Sequence, residues 1–327
     1  MTLPAARLGT TDMHITRVGF GAWAIGGPWA YGWGSQDDQD SISAIRHAAA
    51  VGINWIDTAA AYGLGHSEEV VAAAVTALPV HPYTFTKCGV TWDGAGNVAQ
   101  IARPGTIRGE LEASRRRLRT ERIDLYQVHW PPADGTPVED YWPTMMELKN
   151  QGKVAAIGLS NHRIAHLERA ERIGHVDSLQ PPLSVINRSY AEEISWCARN
   201  GTGVIVYSPM HSGLLTGTFS RERAASLPAG DWRRRSPDFT ADLDRNLALA
   251  DALRPIAERH GVSPAAVAVA WTLAWPGVTA AIVGARNRDQ VDGWLPGAAL
   301  RLTRDDLDDI AAAIERTGAG QGPVSPG

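Results

Sequence analysis

The chain has 327 residues, 44% hydrophobic and 20% charged, with a net charge of −4. That composition belongs to a globular protein, and the length admits one large α/β domain or two smaller ones. The acidic balance excludes a nucleic-acid binder built on a basic stripe, and the runs Arg115-Arg116-Arg117 and Arg233-Arg234-Arg235 read as solvated faces.

Leu8 to Val18 alternates around Thr10-Thr11-Asp12, which predicts a hairpin. Val18 to Gly21 is a first strand, followed by a long loop rich in Gly, Trp and Tyr. Asp37 to Ala50 has helical spacing with acidic residues in its first turn. Asn54 to Asp57 is a short buried strand, and Ser67 is the expected N-cap of the next helix. Tyr83 to Lys87 is the third strand, Thr106 caps a helix through Leu118, and Ile123 to His129 is the fourth strand, followed by the helix Val138 to Asn150.

The second half keeps the rhythm. Strands are expected at Val154 to Leu159, Ser178 to Leu183, Gly203 to Tyr207 and Thr279 to Val283. Helices are expected at Arg163 to Ile173, Tyr190 to Asn200, Asp242 to Arg259, Pro264 to Trp275 and Arg288 to Leu295, with a last one starting at Thr303. Eight short apolar strands alternating with helices predict a closed (β/α)8 TIM barrel, its bottom sealed by the N-terminal hairpin. An open dinucleotide-binding sheet would need a Gly-rich fingerprint opening the first helix, and Gly19-Phe20-Gly21 leads into the Trp/Gly loop instead. The expected organisation is one barrel domain over residues 1–316 and a flexible Gly/Pro/Ser-rich tail over 317–327.

Asp57 ends the second strand, Tyr62 sits in the following small-residue loop, and Lys87 and His129 end the third and fourth strands. Parallel, helix-connected strands bring all four to one mouth. A carbonyl reduced by hydride needs a proton on its oxygen, hence a positioned acid. A Tyr beside a Lys⁺ supplies one, because the cation favours the phenolate, and a buried Lys⁺ needs a carboxylate partner. Tyr62, Lys87 and Asp57 form that chain, with His129 expected either to hydrogen-bond and orient the carbonyl oxygen or to share the proton. Taken singly, each has a bland reading as packing, turn, cap or structural histidine; the ordered set of four carries the chemistry.

These residues belong to a series of motifs: Asp57-Thr58-Ala59-Ala60-Ala61-Tyr62-Gly63, Phe85-Thr86-Lys87, His129-Trp130-Pro131, Gly158-Leu159-Ser160-Asn161, Tyr207-Ser208-Pro209 and Gly284-Ala285-Arg286-Asn287. In that order over nearly the whole chain, the series resembles the aldo-keto reductases, especially bacterial general-stress and sugar- or inositol-oxidising members. The resemblance implies reduction of an aldehyde or ketone, sugar-like carbonyls included, with Tyr62 as acid and with Asp57, Lys87 and His129 completing the set. It implies NADP(H) as cofactor, with NAD(H) as the alternative. Ser160, Asn161 and Gln180 would hold the nicotinamide carboxamide, and Tyr207 would stack on its ring. Ser208, Pro209, Ser212, Gly213 and Leu214 would line the pyrophosphate, and Gly284, Arg286 and Gln290 the adenosine end.

Arg286 favours NADP(H), because a guanidinium matches a 2′-phosphate. Where the family often carries Glu-Asn, this chain has Gly293-Trp294, so Trp294 either stacks on the adenine or packs. Trp23 and Trp130 are the expected substrate-pocket lining. A cofactor-binding regulatory subunit of low activity is the second reading, and a metal-dependent barrel enzyme using Asp57 and His129 the third, although no metal-ligand cluster accompanies them. Cys88 and Cys197 show no metal or disulfide spacing, there is no apolar leader and no spanning segment, and a cytoplasmic protein acting on a small carbonyl or alcohol is expected.

Overall fold

The structure is a computed structural model that describes residues 2–29 and 31–325. Eight parallel strands close into a barrel: β1 (Val18–Gly21), β2 (Trp55–Asp57), β3 (Tyr83–Cys88), β4 (Ile123–Val128), β5 (Val154–Ser160), β6 (Ser178–Gln180), β7 (Gly203–Tyr207) and β8 (Ala280–Gly284). Each strand pairs with its sequence neighbours, and β8 returns to β1 with Gly284 opposite Gly21. The helices between them are α1 (Asp38–Ala50), α2 (His66–Val75), α3 (Pro104–Leu118), α4 (Val138–Asn150), α5 (Ile164–Ile173), α6 (Ala191–Asn200), α7 (Pro264–Ala274) and α8 (Arg288–Trp294).

Alternation along the strands builds two cores. Val18, Phe20, Ile56, Tyr126, Val128, Ile157 and Leu159 face outward against the helices. Trp55, Phe85, Leu125, Ala156, Ile205, Ala280 and Ile282 face inward and fill the lower barrel. The hairpin Ala5–Arg7/His14–Thr16 seals that end, placing Leu8, Met13 and Ile15 in the inner core. The Trp55 indole donates to Thr16 O at 2.8 Å and lies over Gly19, where a Cβ would sit 2.2 Å from the ring. Only glycine at position 19 admits that Trp. The apolar floor leaves the C-terminal end of the barrel for polar residues.

Several local readings are corrected. Ser67 does not cap α2: its hydroxyl is fully buried, donates to Ala22 O at 2.9 Å and pairs with Thr58 Oγ1 at 2.9 Å, while Gly65 takes the cap position. Thr106 lies inside α3, which begins at Pro104, a residue preorganised for a first turn. The stretch read as one helix over Asp242 to Arg259 is two, Leu243–Ala252 and Arg254–His260, because Pro255 has no N–H to continue the ladder. A second hairpin, Val90–Trp92 with Val98–Gln100, follows β3 and was not legible.

Thr317 ends the helix Arg304–Thr317, and Ala319 is buried. The Arg188 guanidinium, 2% exposed, donates to Val185 O and to the carbonyls of Ala319 (3.4 Å), Gly322 (3.4 Å) and Pro323 (2.8 Å). A buried Arg needs acceptors, and the described tail residues supply them.

Candidate active site

Asp57, Lys87 and His129 stand at the C-terminal ends of β2, β3 and β4, and Tyr62 opens the short helical turn Tyr62–Gly65 before α2. Gly63 has φ 60°, and a Cβ there would lie 1.8 Å from Gly26 O. The Tyr62 turn is thus pressed onto the loop after β1, which fixes where the phenol points. Lys87 Nζ donates to Asp57 Oδ1 at 2.6 Å, to Thr58 O at 2.8 Å and to Tyr62 OH at 3.3 Å. Those three bonds use all three ammonium donors. Gln180 Nε2 donates to the other Asp57 oxygen at 2.8 Å. The His129 ring meets the Tyr62 ring edge-on, centroids 5.6 Å apart, and its amide donates to Cys88 O at 2.9 Å.

Burial dominates the electrostatics. It pushes the Asp57 carboxyl up and the Lys87 ammonium down, and the attraction within the pair opposes both shifts. Burial, then the charge of Asp57, holds the Tyr62 phenol well above its ordinary pKa. The balance therefore differs from the sequence reading, in which Lys87 lowers it. Tyr62 is a protonated phenol whose conjugate base has an ammonium already in place. Burial, reinforced by Lys87, drives His129 well below its ordinary range, so its imidazole is neutral and can offer one N–H.

Asn161, with φ 63°, ties the neighbouring strands together. Its amide nitrogen donates to His129 O (3.0 Å) and Ser160 Oγ (3.1 Å), and its Oδ1 accepts from Tyr207 OH (2.8 Å). Ser160 Oγ donates to Gln180 O at 3.0 Å. Tyr190, which sequence reasoning passed over, donates to Asn161 O at 3.0 Å. Beside this knot opens a cavity of about 350 Å³ bordered by Trp130, Asn161, Tyr207, Ser208 and Ser212. Ser208 and Ser212, which border the cavity, have positive φ, as does Gly213 next in the chain. Pro209 is buried, and the Leu214 side chain is in the core, so only its main chain is available to a ligand.

The polar side chains at the barrel mouth, the Tyr207 ring on β7 and the cavity bordered by Ser208 and Ser212 fit a nicotinamide dinucleotide. After β8, outside the cavity lining, Gly284 is exposed, and Gln290 Oε1 accepts from Arg286 N at 2.8 Å, closing the turn into α8. The Arg286 guanidinium donates to Gln36 Oε1 and, at 2.7 Å, to Ser35 O. Trp294 is 1% exposed and packs in the core, which settles its alternatives against an adenine stack.

Trp130 stacks on His129, and Trp29 lies 6.0 Å from Tyr62. Trp23 meets Trp33 edge-on at 5.0 Å and Trp232 at 6.4 Å. Trp232 comes from the long segment after β7, about 170 residues beyond Tyr62, and its sequence gives no signal of that placement. Among the described residues no group of three or more His, Cys, Asp or Glu is placed to hold a metal ion, and no helix is long and apolar enough to cross a membrane.

The chain is similar to known proteins over nearly its whole length. The model of the aldo/keto reductase family matches residues 17–315. The chain is similar to an NADH-specific methylglyoxal reductase of Escherichia coli, 34% identical over 94% of this chain and 98% of that one. It is equally similar to the aldo-keto reductase YhdN of Bacillus subtilis, 34% identical over 94% and 92%. Among solved structures, a glycerol dehydrogenase of Gluconobacter oxydans superposes with a TM-score of 0.88 at 34% identity, covering 96% of this chain and 95% of that one. With a closed eight-stranded barrel and four polar residues gathered at its mouth, the chain belongs to the aldo-keto reductase family, oxidoreductases that use nicotinamide cofactors.

Proposed function

We propose that the chain reduces a small aldehyde or ketone to the alcohol, with Tyr62 giving the proton and NADPH as the preferred hydride source. The observation that carries the reading is the buried contact chain from Asp57 through Lys87 Nζ to Tyr62 OH, at 2.6 and 3.3 Å. The cofactor supplies hydride when bound, and Ser160, Asn161, Gln180 and Tyr207 are the residues to hold its nicotinamide end. The Tyr62 phenol, protonated by its surroundings, transfers its proton to the carbonyl oxygen as negative charge develops there. Lys87 then stabilises the phenolate, while Asp57 keeps Lys87 charged. The neutral His129 donates one hydrogen bond to the same oxygen and sets its direction. Trp23, Trp29 and Trp130 wall the substrate's side of the mouth. The relatives are named for methylglyoxal and glycerol, so the carbonyl panel should begin with methylglyoxal and glyceraldehyde.

The direction of the Tyr62 shift predicts the pH dependence. Reduction needs the protonated phenol, so its rate should stay flat through neutral pH and fall only towards the raised phenol pKa. Oxidation needs the phenolate, so its rate should climb about tenfold per pH unit over the neutral to mildly alkaline range. Turnover measured in both directions across pH checks this. An oxidation rate that levels off near neutral pH would mean that a more acidic group takes the proton.

Cofactor preference turns on Arg286. With Nε and one Nη tied to the loop after β1, the guanidinium keeps one edge for a 2′-phosphate. A single charge-assisted bond of about 1.5 kcal/mol gives roughly a tenfold preference for NADPH. Arg286→Ala should erase it by weakening NADPH alone, read as dissociation constants of both cofactors at one ionic strength. Equal losses for both would assign Arg286 to holding the Ser35–Gln36 loop, and a wild type that prefers NADH would align the chain with its Escherichia coli relative.

A further inference from the structure

Three segments far apart in sequence build the outer wall of the cavity: the turn after β6 at 184–189, the loop after β7 at 208–216, and the turn Pro237–Phe239. One imidazole joins them. Ser184 Oγ lies 3.2 Å from His211 Nδ1, and Asp238 Oδ2 lies 2.9 Å from His211 Nε2. All three residues border the cavity. Counting donors places the protons. Ser184 Oγ already accepts from the amides of Ile186 (3.2 Å) and Asn187 (2.9 Å). A hydroxyl oxygen has two acceptor positions and one proton, so that proton goes to His211 Nδ1. His211 therefore carries its own proton on Nε2 and donates it to Asp238. The ring is anchored at both nitrogens.

The backbone it anchors is in a costly conformation. Ser208 (φ 57°), His211 (φ 47°) and Ser212 (φ 52°) are non-glycine residues in the left-handed region, and Gly213 follows at φ 102°. Such residues persist where the surroundings over-determine them. Below the loop, Leu214 and Leu215 are buried in the core. From the side, Arg233 Nη1 reaches Ser212 O at 3.4 Å. On the cavity face, the imidazole is the side chain that spans to both neighbouring segments.

We propose that Ser184, His211 and Asp238 form a strut that holds the loop after β7 in the shape that grips the dinucleotide's diphosphate, which makes His211 a positioning residue for the cofactor. This rests on the reading that the cofactor lies along this cavity. The strut acts as a unit, because either broken bond frees the imidazole to turn.

The test is calorimetric titration of the full-length protein with ADP-ribose and its 2′-phosphate, which carry the diphosphate without the nicotinamide. His211→Ala and Asp238→Ala should each raise Kd about tenfold, and the double variant should be no worse than the weaker-binding single. In turnover the loss should fall on the cofactor KM rather than on kcat. Asp238 lies at the partly exposed end of the strut, so Asp238→Ala remains informative if His211→Ala does not fold. Single variants that bind within twofold of wild type, or that add fully in the double variant, overturn the strut while leaving the cofactor reading intact. A wild type that binds neither ligand and no nicotinamide dinucleotide removes the cofactor reading and the strut together.

Discussion

Replacing Tyr62 with Phe should lower turnover by roughly 10² or more, the usual size of an acid–base contribution, with cofactor binding nearly unchanged. The substitution keeps the ring, which packs against Trp29 and His129, and removes only the hydroxyl. Lys87 loses its contact at 3.3 Å but keeps those to Asp57 and Thr58 O, so the ion pair survives. The loss should therefore appear in kcat for the reduction, and dissociation constants for the nicotinamide cofactors should stay close to wild type. Turnover near the wild-type level would show that another group, His129 being nearest, delivers the proton.

Lys87→Met should be at least as damaging to turnover and much more damaging to stability. The phenolate formed from Tyr62 loses its cation in a site where burial already resists that charge. Asp57 meanwhile is left as a buried carboxylate with Gln180 as its side-chain donor. Breaking a buried pair by removing one partner costs roughly 3–5 kcal/mol, whereas removing both charges largely relieves the penalty. Asp57→Asn combined with Lys87→Met should thus recover most of the lost stability and none of the activity. Denaturant melts and steady-state rates on the two variants separate the effects. Recovery of activity in the double variant would mean that Lys87 matters to Tyr62 only through the fold.

The barrel was legible because its signal is periodic and local. Short apolar strands such as Ile123–Val128 alternate with amphipathic helices, and Asp57, Lys87 and His129 fall at strand ends whose positions the pattern sets. Tyr62 was legible because its loop is short and tied to the strand before it. What escaped depends on long-range contact. Ser67 has the side chain of an N-cap, but tertiary packing gives its hydroxyl to Ala22 O and Thr58. Trp232 and Asp238 reach the cavity from a long irregular segment after β7, where no period constrains the path. A lone arginine carries no sequence signal of burial, yet the Arg188 guanidinium donates to tail carbonyls, beside the main-chain bonds of Gln321 to Ile186 and Arg188. A motif shows the Lys87 neighbour of Tyr62 but not the depth of burial, which pushes the phenol up.

The central claim, nicotinamide-dependent carbonyl reduction at the Tyr62 site, is tested most directly by titrating the protein with NADPH and NADH while following nucleotide fluorescence, then adding methylglyoxal, glyceraldehyde and a wider carbonyl panel to the saturated complex. The account predicts saturable binding, tighter for NADPH, followed by oxidation of the nucleotide that depends on both the carbonyl and the Tyr62 hydroxyl. Absence of binding by either nucleotide, or nucleotide oxidation that is the same in Tyr62→Phe, would contradict it.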